Sequence, residues 1–120
     1  MTTHDAKTTT PTMVRAPMGA TVLELDWADG HTSVLPNAFL RGYCPCAGCQ
    51  GHSGEIKFIP GNNAEIVTLE EVGSYALLFN WGDGHSSGIY TFRFLRRLGE
   101  LSAAEQGAPG PRPTISRTVT

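Results

Sequence analysis

All three cysteines of the chain fall within six residues, as Cys44-Pro45-Cys46-Ala47-Gly48-Cys49. Thiolates held this close repel one another, and such a cluster suits a soft, positively charged metal ion. Disulfide bonding explains it poorly, because an odd count leaves one thiol over and a bridge inside the motif crosslinks nothing distant. A structural metal site takes four ligands, and the cluster supplies three.

Three histidines are candidates for the fourth ligand. His52 is the local choice, giving Cys-x-Cys-x-x-Cys-x-x-His with every ligand inside nine residues. His31 and His85 are the distant choices, and His4 sits in a stretch without apolar pattern. A ligand from a second element would stabilise the fold more, because binding then closes a long loop. Spacing alone leaves His52 and His85 level.

The elements that must position these residues come as a repeat. Trp27-Ala-Asp29-Gly30-His31-Thr-Ser33, ending in Phe39-Leu40-Arg41, matches Trp81-Gly-Asp83-Gly84-His85-Ser-Ser87, ending in Phe94-Leu95-Arg96. The offset is 54 residues at the tryptophans and 55 at the arginines, so one residue is inserted between them. Thr21 to Trp27 and Tyr75 to Trp81 alternate apolar and polar, the period of a half-buried strand. Tyr75, Leu77, Phe79 and Trp81 then share one face. Asp-Gly follows one residue after each tryptophan, a strong hairpin signal because glycine accepts positive φ. Return strands are expected at 32–35 and 87–90, and short helices at 36–41 and 91–98, with Pro36 tolerated in a first turn. Between the copies, 55–59 and 65–72 read as strands split by a Pro60-Gly61-Asn62-Asn63 turn. The expected fold is α+β: a small, mostly antiparallel sheet built from two similar β-hairpin-plus-helix units and stapled by a metal site. Trp27 and Trp81 read as core residues at the hairpin ends, and Asp29 and Asp83 as turn residues.

Composition bounds what such a domain does. At 12.9 kDa the chain holds one domain at most. Residues 1–19 and 102–120 lack the apolar content to offset ordering entropy and are expected to be flexible tails, leaving 20–101 as the folded domain. A core that small gains appreciably from a metal. The net charge of −2 and pI near 6.0 argue against a nucleic-acid partner, and Arg93, Arg96 and Arg97 read as a solvated helix face. No early apolar segment suggests export and no run is long enough to span a membrane, so reduced thiols in a cytoplasm are expected.

The segment from Leu25 to Cys49, with Val72 to Tyr90, resembles the gamma-butyrobetaine hydroxylase-like N-terminal domain family. The motifs that carry the resemblance are Leu40-Arg41-Gly-Tyr-Cys44-Pro-Cys46-Ala-Gly-Cys49 and Trp81-Gly-Asp83-Gly84-His85. The resemblance implies zinc held by Cys44, Cys46, Cys49 and His85, with His31 outside the set and His52 a bystander near the site. The oxygenase activity of the family's namesake belongs to a separate, larger domain with a two-histidine, one-carboxylate iron site. The Asp-x-His order of the present segments differs from the His-x-Asp of such sites, and that activity is not expected here. Within the family the domain also occurs joined to P-loop iron–sulfur cluster carriers, which implies a partner of that kind.

A closed four-ligand shell has no position for water or substrate, which favours a structural role. The expected function is a non-catalytic, zinc-stapled protein-interaction module, an accessory in iron–sulfur cluster assembly or metal handling. The competing reading is a small thiol-redox or metal-dependent enzyme using Cys44, Cys46 and Cys49.

Overall fold

The computed structural model describes residues 9–16, 19–44, 55–59, 64–84, 88–107 and 115–116. The chain runs β1 (Pro11–Arg15), β2 (Val22–Trp27), β3 (Thr32–Pro36), α1 (Asn37–Gly42), β4 (Glu55–Ile56) and β5 (Ile66–Val72). It continues with β6 (Ala76–Trp81), β7 (Gly88–Thr91), α2 (Phe92–Gly107) and β8 (Ile115–Ser116). The strands form two three-stranded antiparallel sheets, β1-β2-β3 and β5-β6-β7, and a short β4-β8 pair. The sequence had suggested one small sheet. Each return strand instead feeds straight into a helix, so each hairpin closes its own sheet.

Alternation does what it should in both hairpins. Leu23, Leu25 and Trp27 point inward from β2, and Leu77, Phe79 and Trp81 from β6. Gly30 (φ 88°) and Gly84 (φ 85°) take the left-handed turn conformation that an L side chain would strain. Tyr75 does not join the inward face; it sits in the turn before β6 and is exposed.

Helix α2 buries Phe92, Phe94, Leu95 and Leu98, and it packs against β3 of the other sheet. The Thr91 hydroxyl accepts a hydrogen bond from the Phe94 N–H (3.1 Å), capping the first turn. In the core Trp27 of β2 meets Phe92 of α2 edge to face, while Phe79 stacks on Trp81 within β6 and Phe39 meets Tyr43 at the end of α1.

Order extends beyond the expected domain limits. β1 lies in the stretch read as an N-terminal tail, where Arg15 pairs with Glu24 (2.8 Å) and Asp26. α2 runs on to Gly107, and Ile115 is buried beside β4.

Candidate metal centre

Cys44 follows the last turn of α1, where Tyr43 ends the helix and the Cys44 N–H donates to the Arg41 carbonyl (3.2 Å). Its side chain is fully buried. Cys46, Cys49, His52 and His85 lie outside the described residues. His31 is exposed in the first hairpin turn. Among the described residues, no three or more His, Cys, Asp or Glu side chains gather as a metal-binding group.

The described residues that flank positions 85–87 pack against the end of α1. A Cβ built on Gly88 would come 2.8 Å from Cys44 Sγ, so the start of β7 lies directly against the thiol. Asp83, on the other side of the turn, receives a hydrogen bond from Arg41 Nε at 2.9 Å, with the two side chains 9% and 11% exposed. The Tyr90 hydroxyl donates to the Leu40 carbonyl at 2.6 Å. The segment that carries Cys44 and the hairpin that carries His85 are therefore neighbours.

The first hairpin turn has a matching ion pair. Asp29 receives two hydrogen bonds from Arg96, at 3.0 and 3.1 Å, and the guanidinium lies 5.7 Å from the centre of the Trp27 ring. The Arg96 guanidinium, with help from the His31 backbone N–H, holds the Asp29 carboxyl below the usual carboxylate range. Arg41, Asp83, Arg96 and Asp29 were not singled out as partners by sequence reasoning. The signal was present, since each repeat carries one aspartate and one arginine at corresponding places. Arg93 and Arg97 are exposed as expected, but Arg96 is not a solvated residue.

The buried indoles differ in one respect. Trp27 Nε1 donates to Ser33 Oγ at 2.8 Å. Trp81 Nε1 is buried with no acceptor among the described residues. A cleft of about 610 Å³ between Pro36–Ala38 and Ala64–Glu65 does not include Cys44 in its lining. Among the described residues, no helix is long and apolar enough to cross a membrane.

The sequence pattern described as "Gamma-butyrobetaine hydroxylase-like, N-terminal" matches residues 14–96. The gamma-butyrobetaine dioxygenase of Pseudomonas sp. (strain AK-1) is 31% identical over 75 residues, covering 59% of this chain and 20% of the dioxygenase. The chain thus spans about a fifth of that enzyme's length. A solved structure of a protein of unknown function in the DUF971 family of Acidithiobacillus ferrooxidans is 39% identical. It covers 78% of this chain and 96% of its own, with a TM-score of 0.61. A solution structure determined by NMR is 25% identical over 100% of this chain and 98% of its own, with a TM-score of 0.67. With the family pattern extending from β1 into α2, the chain belongs to the gamma-butyrobetaine hydroxylase-like N-terminal domain family.

Proposed function

We propose that this chain is a non-catalytic protein-interaction module made of two similar hairpin-plus-helix units and clasped by zinc at Cys44, Cys46, Cys49 and His85. The observation that carries the reading is the approach of Gly88 to Cys44 Sγ. His85 lies three residues before Gly88, within easy chain reach of the thiol, whereas any side chain at position 88 would crowd it. The buried Trp81 N–H, lacking an acceptor among the described residues, also suits a corner that holds thiolates. Zinc would supply charge neutralisation and a tetrahedral anchor. The chain's own part is to bring two distant segments together and keep water out.

The enzyme reading draws less support. Reactive cysteines are partly exposed in electropositive surroundings, and Cys44 is fully buried. The partner class we propose is an iron–sulfur cluster carrier protein, by analogy with relatives in which the two are joined, with the module acting in a cytoplasm.

Elemental analysis of the purified protein beside His85→Ala and His52→Ala tests the ligand set. Wild type and His52→Ala are expected to carry about one zinc per chain, and His85→Ala to lose most of it. Loss in His52→Ala with retention in His85→Ala would reassign the ligand.

A further inference from the structure

The two sheets share a register as well as a shape. In the first, Val14 pairs with Leu25, Leu25 with Ser33 and Leu23 with Leu35. In the second, Leu69 pairs with Phe79, Phe79 with Gly88 and Leu77 with Tyr90. The outer ladders even share an irregularity, between Pro11 and Met13 and between Ile66 and Thr68. Central strands correspond at an offset of 54, and outer strands, return strands and helices at 55. Gly30 and Gly84 still match at 54 and Ser33 matches Gly88 at 55, which puts the inserted residue at positions 85–87.

The ion pairs obey the same correspondence, crosswise. Arg41 of the first unit reaches Asp83 of the second, and Arg96 of the second reaches Asp29 of the first. Reciprocal contacts of this kind are the signature of an approximate two-fold axis. The molecule therefore has two equivalent corners, each with a hairpin turn, an Asp–Arg pair, a tryptophan and a helix.

The corners have diverged in what fills them. Cys44 corresponds to Gly99, and Gly88 to Ser33. At one corner the sulfur of Cys44 occupies the space that Gly88 leaves open. At the other, Gly99 leaves space for the Ser33 hydroxyl, a Cβ on Gly99 lying 2.5 Å from that oxygen. The serine accepts the Trp27 N–H, while the Trp81 N–H has no described acceptor. The positions matching Cys46 and Cys49 are Leu101 and Ala104, inside α2. A helix thus continues where the cysteine segment would begin, so His31 has no thiolate to meet.

We infer that the Arg41–Asp83 pair is the positioning device of a metal corner, and that the Arg96–Asp29 pair holds the equivalent corner with no metal role. Arg41 lies three residues before Cys44, and Asp83 two residues before His85. Their hydrogen bond ties the end of α1, just before Cys44, to the turn residue Asp83, just before His85 in sequence, as partners outside a ligand shell commonly do. The inference rests on the zinc reading proposed above, and the second corner is its built-in control.

The test compares Asp83→Asn with Asp29→Asn in the full chain, reading zinc affinity by competition with a chromophoric chelator and site geometry by the cobalt(II) absorption spectrum. Asp83→Asn is expected to weaken zinc by about 10-fold or more, with altered cobalt bands. Asp29→Asn is expected to leave both within about two-fold of wild type, on the same outer-shell scale, even where its melting temperature falls as far. Equal effects of the two variants on affinity, or no effect of either, would overturn the inference while leaving the zinc reading intact. A wild-type chain that binds neither metal would sink the zinc reading and the inference with it. Should Asp83→Asn fail to fold, Arg41→Lys against Arg96→Lys makes the same comparison, since lysine keeps the charge and loses the guanidinium geometry.

Discussion

At the scale of residues, the side chains that matter most after the cysteines are two aspartates that a turn would tolerate as asparagine. Asp29 closes an Asx-type contact with the His31 N–H (3.1 Å) and also takes both arms of Arg96. Its carboxyl titrates below its ordinary value, chiefly because Arg96 donates to the charged form and secondarily because His31 does. The folded-state pKa is depressed, so the stabilisation is complete above the unfolded value, about 3.9. It is lost as pH falls through the folded value. Asn cannot titrate, so Asp29→Asn is expected to be less stable than wild type at pH 7 and to converge with it in strong acid. Urea midpoints from pH 7 to pH 2 check this. A constant gap across the range would remove Asp29 from the acid response and leave Asp26, held low first by Arg15 and then by Thr32, to carry it.

At the scale of elements, the parts legible in the sequence were those with a one-sided burial signature. β2 and β6 alternate, Asp-Gly closes both hairpins, and the apolar spacing of Phe94, Leu95 and Leu98 starts α2. β1 carries no such signature because it is an edge strand whose middle residues, Thr12 to Val14, are all exposed. The later turns of α2 hid for a different reason. Where the helix crosses Ser33 the approach leaves room only for the glycine at position 99, and the buried Ser102 further along is polar, so the apolar period breaks. The two matching sequence segments were readable, but the ion pairs that run between them were not, since sequence offsets carry no information about which segment an arginine reaches. β1 supplies a ladder along β2 and an ion pair to two of its acids, so its removal leaves β2 as an edge. A chain beginning at residue 20, the boundary suggested by composition, is expected to melt at least about 4–8 °C below the full chain, equivalent to roughly 1 kcal/mol. Identical melting curves would show that β1 contributes nothing to the fold.

At the scale of the whole molecule, the two halves are interlocked before any metal is considered. α2, which follows the β5-β6-β7 sheet, lies on β3 of the other sheet, the two ion pairs join the β1–α1 half to the β5–α2 half, and the Tyr90 hydroxyl anchors the α1 backbone. These contacts fix the end of α1 beside β7, so a metal joining the cysteine segment to the second hairpin would cost little rearrangement. Its benefit would be closure of the loop between Cys44 and His85, with the bound state favoured by mass action. Free zinc at about 100 times its dissociation constant contributes roughly 2.7 kcal/mol. For a domain of this size that corresponds to a shift of roughly 10–20 °C in melting temperature. Stripping the metal with a chelator at neutral pH is therefore expected to lower the melting temperature by that amount, and readdition of zinc to restore it. A cysteine knuckle closed locally by His52 would also lose its metal, but it ties no distant segments together. Its removal would leave hydrogen-exchange protection at β7 nearly unchanged. Loss of that protection on stripping, centred on Gly88 to Thr91, is the outcome that a clasp between the two units requires.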